Sequence, residues 1–218
     1  MQKFDPMRQI REMGESTNNC TMVDGEVHFL SSTTINLTDK YPKFPAPIAY
    51  VDGRFVLNDL CNETRITTLE NQPAIIYGSY IIKMRFLESF RNCPHHIGVH
   101  CILQDTMLAG FDYAPEYIGA NLSISDTPIQ SLSGIHETAL QNTIIDGSII
   151  IREDMTNILG LALIPGIKRV RWSAYQPVTI GVHTITKSVV IEVDISHNDI
   201  IRFQDDLLER GFAHMAMI

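Results

Sequence analysis

One short stretch concentrates the chemistry-bearing side chains of this chain: Cys93-Pro-His-His-Ile-Gly-Val-His-Cys101. Zinc takes cysteine sulfur and histidine nitrogen in tetrahedral sites. Cys93, His95 or His96, His100 and Cys101 could nominally supply four such ligands. The spacing matches no standard finger, and an extended strand points His100 and Cys101 to opposite faces. Cys20 and Cys61, the remaining cysteines, stand alone. The expectation is therefore no bound metal, with Cys93 and Cys101 in the core beside a turn and His96 and His100 on the surface. A cysteine nucleophile needs a base and an orienting group. His136 or His183 could serve Cys93 only if folding brings them together.

Other chemistries leave weaker traces. No Gly-X-Ser-X-Gly elbow, phosphate loop or Gly-X-Gly-X-X-Gly turn occurs. The adjacent acids Glu153-Asp154 and Asp205-Asp206 would not face each other on a helix, so they read as solvated charges. The oxygen-rich Asp194-Ile-Ser-His-Asn-Asp199 is explained by helix capping more economically than by a cation. The densest basic spot is Lys168-Arg-Val-Arg171, where alternation places Arg169 and Arg171 on one strand face. A formal net charge of -8 with no lysine- or arginine-rich block argues against a nucleic-acid partner. No cofactor is expected.

Nothing reaches the roughly 18 consecutive apolar residues of a membrane span, which leaves only a peripheral membrane contact open. No basic segment followed by an apolar core marks a secretory signal. A reducing, cytoplasmic setting with thiols is expected. Asn-X-Ser/Thr occurs at Asn19, Asn36, Asn62 and Asn121, and without a signal these are expected to stay unmodified.

The elements that would position these residues are mostly strands. The 218 residues are 44% hydrophobic and 19% charged, enough apolar material for a real core. Val178, Ile180 and Val182, then Val189, Ile191, Val193 and Ile195, alternate with period two around Thr184–Ser188, which predicts an antiparallel hairpin with its turn there. Asp24-Gly25, Asp52-Gly53 and Asp146-Gly147 each separate apolar runs and predict three tight hairpins. Ser31–Thr38 would prolong the strand after the first of them. Further strands are predicted over 80–86, 98–103 and 121–124, with Val170 and Trp172 facing one way on another. Asp5-Pro6 begins a short helix stopped at Gly14, and Glu15–Thr21 reads as loose. Ser196 and Asp199 suggest a capping box for a C-terminal helix carrying Ile200, Phe203 and Leu207 and ending at Gly211. No internal repeat is evident.

These elements predict an α+β, mainly β fold: an antiparallel sandwich or barrel with the C-terminal helix packed on the sheet. Residues 1–47 would form an N-terminal arm with a short helix, a hairpin and the proline-rich linker Tyr41–Pro47. Residues 48–218 would form a single β-rich core domain.

The C-terminal region resembles the matrix proteins of rhabdoviruses. The resemblance runs over Pro177-Val-Thr-Ile-Gly-Val-His183, then Val189–Ile195, then Phe203-Gln-Asp-Asp-Leu-Leu-Glu-Arg-Gly-Phe212, and Tyr80–Phe86 could match that family's first core strand. It implies a non-enzymatic virion assembly protein that self-associates, found in host cytoplasm or virion. The family's lysine-rich N-terminal tail and short proline-tyrosine budding motif are missing here, and no individual functional residue carries over.

The missing catalytic signature points the same way, to a structural protein whose partners are copies of itself and other proteins. Two alternatives remain: a metal- or Cys/His-dependent hydrolase using Cys93–Cys101, and a soluble ligand- or peptide-binding β-domain with an apolar pocket.

Overall fold

Alternation buries one side of most of the strands it marks, yet most of these strands do not pair with their sequence neighbours. In the computed structural model, which describes residues 5–15, 19–180, 183–195 and 199–217, the chain winds into a β-solenoid of about seven turns. The antiparallel sandwich or barrel expected from the sequence is not formed.

Helix α1 (Pro6–Met13) leads into strands β1 (Gly14–Glu15), β2 (Cys20–Val23), β3 (Glu26–Phe29) and β4 (Thr33–Leu37). Strands β5 (Ile48–Val51), β6 (Phe55–Asp59), β7 (Ile75–Ile76), β8 (Tyr80–Lys83), β9 (His96–Ile97) and β10 (Cys101–Gln104) follow. Then come β11 (Tyr117–Ile118), β12 (Leu122–Ser123), β13 (Ile144–Ile145), β14 (Ile149–Ile150), β15 (Arg169–Ile180), β16 (His183–Asp194) and helix α2 (Ile200–Glu209). From β3 to β14 successive strands alternate between two sheets. One sheet runs β1-β4-β6-β8-β10-β12-β14-β15-β16 and the other β13-β11-β9-β7-β5-β3-β2.

Pairing is between turns and parallel. Phe55–Asn58 of β6 align with Tyr80–Lys83 of β8, which align with Cys101–Gln104 of β10. In the second sheet Ile76, Ile97 and Ile118 stack in one inward rung at intervals of 21 residues. All three are fully buried, as are Ile82 and Leu103 in the first sheet. Each such side chain contributes roughly 1.5–3 kcal/mol by leaving water. The arcs between turns stack as well: Phe90 and Phe111 lie with ring centroids 6.3 Å apart at 25°.

A repeat is therefore present where none was evident in the sequence. Its spacing is 21 residues in several turns, but the offset from Phe55 to Tyr80 is 25 and from Leu122 to Ile149 it is 27. Longer arcs break the period. The rungs also exchange one residue type for another, as Tyr80, Cys101 and Leu122 do.

The same geometry corrects the hairpins. Asp24 and Gly25 both have positive φ, 51° and 86°, and this turn does close an antiparallel pair, β2 with β3. Asp52-Gly53 and Asp146-Gly147 instead form corners where the chain passes from one sheet to the other. Neither Asp146 nor Gly147 has the positive φ of a two-residue hairpin turn. Ser31–Thr38 does not prolong β3; β4 lies in the other sheet and pairs with β6. Glu15 and Cys20–Thr21, expected to be loose, belong to strands β1 and β2. The C-terminal hairpin exists as β15–β16, but Thr184–Ser188 lies inside β16, with Thr184 opposite Thr179. Residues 181–182, between the paired Ile180 and His183, lie outside the described residues. Tyr41–Pro47, expected to be a plain connector, carries Phe44 and Ala46 into the core.

Helices cover apolar side chains at both ends of the solenoid. Asp5 caps α1 through the backbone N–H groups of Met7 and Arg8, and Ile10 and Met13 are buried. Glu12 holds this helix to the next loop by accepting from Lys40 Nζ at 2.9 Å and from the Tyr41 hydroxyl. These bonds, Tyr41's first, lower the Glu12 pKa to about 2. At the other end Trp172 is buried edge-on to Phe212, centroids 4.8 Å apart. Helix α2 buries Phe203 and Leu207 there, capped by Asp199, which accepts from the backbone N–H of Arg202. Ser196–Asn198, the rest of the predicted capping box, lies outside the described residues.

Corner geometry makes a sharp prediction. A Cβ at Gly98 would sit 2.1 Å from the Tyr77 carbonyl oxygen, whereas one at Gly110 would meet nothing within 4 Å. Gly98→Ala should lower unfolding stability by about 1–3 kcal/mol or more, while Gly110→Ala should be neutral or slightly stabilising. Urea denaturation of the two variants checks this; equal effects would contradict the stacked corner.

Candidate functional site

The Cys93–Cys101 stretch crosses from one sheet to the other, and the fold scatters its side chains. Cys93 ends the arc before β9 and packs against the core. His95 is exposed. His96, on the outward face of β9, stacks on Tyr117 with centroids 4.8 Å apart and planes at 15°. His100 lies at the corner, where its Nδ1 accepts the backbone N–H of Asn121 at 3.3 Å. Cys101 opens β10 in the first sheet, fully buried in the rung between Tyr80 and Leu122. His96 thus stacks on the next turn and His100 bonds to it, while the two cysteines face the core. Among the described residues no group of three or more His, Cys, Asp or Glu could hold a metal ion.

Cys93 and Cys101 meet around Tyr80, whose hydroxyl donates to Gln72 Oε1 at 3.1 Å and also reaches Cys93. Burial pushes the Cys101 thiol up to about 12. Burial, and then the neighbouring Cys101, pushes Cys93 well above the ordinary thiol range. Tyr80 is raised too, by burial first and by both thiols next. An activated nucleophile needs the opposite shift. Cys93 lies beside Tyr80, and His136 sits in a separate 3₁₀ turn (Ile135–Glu137) with its Nδ1 unpartnered. The His183 side chain lies outside the described residues.

The remaining candidates are absorbed by the fold. Arg169 pairs with Glu192 at 3.3 Å on the strand face, and Glu192 also accepts from Ser148 Oγ. Asp154 accepts from Arg152 Nε at 2.7 Å. Asp199 is the α2 cap, and Asp205 is exposed. Surface grooves of about 240 Å³ beside Leu37, Phe44 and Leu69, about 430 Å³ beside Gln72, Asn92 and Cys93, and about 470 Å³ beside Ser125, Arg152 and Ser173 are open to solvent rather than enclosed as ligand sites usually are.

No protein-family model, curated protein or solved structure matches this chain.

What sequence reasoning missed is the surface order. In register across the second sheet, His28, Tyr50, Ile75, His96, Tyr117 and Ile144 form one outward stripe. Across the first sheet Val56, Ile81 and Ile102 form another, half-buried, which the polar and buried Ser123 interrupts before Ile150. Tyr117 also donates its hydroxyl to Asp146 Oδ2 at 2.6 Å, and that bond raises its pKa. A signal existed: Pro73, Pro94 and Pro115 recur every 21 residues, each just ahead of a strand of the second sheet. Asn71, Asn92 and Tyr113, at the same interval, all have positive φ.

The thiol environment can be checked by reactivity. At pH 8 iodoacetamide should modify Cys93 and Cys101 only after unfolding, as read by peptide mass spectrometry; rapid native alkylation of either would contradict their placement. Folding raises both pKa values, so their contribution to stability is complete below the ordinary thiol pKa of about 8.5. It is lost as pH climbs toward about 12, and the urea midpoint should fall over that window.

Proposed function

We propose that this chain is a non-enzymatic structural protein that works by self-association through the sides of its solenoid. The observation that carries the reading is the surface: strand faces that align half-exposed apolar side chains, such as Val56, Ile81 and Ile102, in register. Aligned apolar side chains on a rigid face suit a protein partner better than an enclosed small molecule. Large apolar side chains are also exposed elsewhere, among them Tyr77 and Ile144.

Two further points favour this reading. The side chains best suited to chemistry are engaged in packing and backbone hydrogen bonds: Cys93 and Cys101 inward, His96 on Tyr117, His100 on Asn121. Helices α1 and α2 cover apolar side chains at the two ends, and the strand faces stay available for assembly. The resemblance of 177–183, 189–195 and 203–212 to rhabdovirus matrix proteins agrees with an assembly role. Among the described residues no helix is long and apolar enough to cross a membrane.

Light scattering over a concentration series tests the reading. The mass should rise above 24.6 kDa with concentration. The rise should be steeper in added salt, because screening weakens repulsion between copies of net charge -8. A constant 24.6 kDa at all concentrations and salts would refute it.

A further inference from the structure

We infer that β16 is a self-pairing edge: two copies join their nine-stranded sheets antiparallel, β16 to β16, about a two-fold axis at Val190. This rests on the self-association reading above and adds to the strand faces a contact at the last strand of the first sheet.

Among the described residues, three of the four sheet ends are short. β1 and β13 have two residues each and β2 has four, whereas β16 has twelve. A long, open strand edge presents backbone donors and acceptors that template another strand, and proteins usually blunt it by shortness, charge or cover. Shortness blunts the other three. The inner side of β16 is fully used: twelve register pairs bind it to β15, from Arg169 with Asp194 to Ile180 with His183. No described strand pairs with its outer side.

Hydrogen-bond parity says which groups face outward. Ile195 donates its N–H to the Lys168 carbonyl, so the odd-numbered residues of β16 bond inward to β15. The Arg171 carbonyl, opposite Glu192, accepts from Ile151 instead, which agrees with this alternation. The backbone groups of the even-numbered residues, Thr184, Thr186, Ser188, Val190, Glu192 and Asp194, therefore point to the open edge. The strand has strong β character through Val189-Val-Ile191, with no charge in that stretch. The Glu192 carboxylate is drawn across the sheet face to Arg169 and Ser148, away from a role as an edge guard.

The hairpin also has no third strand along most of its length. β14 pairs only with Val170 and Arg171, so beyond them β15 and β16 continue as a two-stranded ribbon. Two strands alone are marginal in water, and more are needed for independent stability. A second copy supplies them and makes the ribbon four-stranded.

A second copy fits because the edge is self-complementary. A two-fold axis perpendicular to the sheet keeps faces matched, so opposed residues must have the same parity. With Val190 on the axis, Val190 meets its own copy, Ser188 meets the partner's Glu192, and Thr186 meets the partner's Asp194. No like charges oppose. The five outward residues from Thr186 to Asp194 then form about ten backbone hydrogen bonds. Val190, now 52% exposed, becomes covered.

Sedimentation velocity on the full-length chain tests the inference, with two variants. Val190→Pro removes an N–H that faces only the open edge. Val190→Lys keeps every backbone group but sets two like charges on the axis. Each should weaken the dimer dissociation constant at least about ten-fold, with the wild-type circular dichroism retained. If Val190→Pro does not fold, Val190→Lys carries the test alone. A wild-type protein that associates, with a folded variant associating equally well, overturns the edge assignment and leaves self-association standing. A wild-type monomer throughout overturns both. Retained association of wild type with an unrelated strand peptide, but not with itself, also overturns it.

Discussion

At the corners of the solenoid the backbone of one turn lies on the backbone of the turn before it. The space a Cβ would need at Gly78 is filled by Gly53, at Gly119 by the Gly98 carbonyl, and at Gly147 by the Ala120 carbonyl. This close approach holds successive turns at the inter-strand spacing, roughly 4.8 Å. The parallel register follows from it, and so do the rungs of buried side chains. Ile76 over Ile97 over Ile118 is one consequence, and the stacked Phe90 and Phe111 of the arcs are another. The terminal helices are needed for the same reason, because the first and last rungs have no neighbour to cover them.

How much of this the sequence shows depends on whether a signal is local. The α1 cap at Asp5-Pro6, the Asp24-Gly25 hairpin, the inward Trp172 and the C-terminal helix ending at Gly211 were legible, since each is decided within a few residues. The topology was not. Alternation says which side of a strand is buried but not which strand lies beside it. Asp-Gly suits a hairpin turn and a solenoid corner alike, and only the φ values separate Asp24-Gly25 from Asp146-Gly147. The period was blurred by longer arcs before β8 and β14 and by rungs that mix Tyr80, Cys101 and Leu122. The evenly spaced Pro73, Pro94 and Pro115 were the clearest trace left.

The Cys93–Cys101 stretch shows how the same fold disposes of apparent chemistry. Read along the chain it gathers two thiols and three histidines. Wound into a corner, it sends Cys101 into the first sheet's interior and leaves His96 on the outer face of the second. Proximity in sequence becomes separation in space. The opposite happens at the surface: residues 21 to 27 apart in sequence, such as Ile81 and Ile102 or Tyr117 and Ile144, come side by side. Function in such a chain is better sought in stripes and edges than in short motifs.

Parallel pairing between turns underlies the rungs, corners and stripes alike, and an amide-to-amide nuclear Overhauser spectrum of the deuterated protein tests it most directly. It predicts cross-peaks that link residues 55–58 with 80–83, and 80–83 with 101–104, all in parallel order. Cross-peaks linking 48–51 with 54–57 in antiparallel order across Asp52-Gly53 would contradict it.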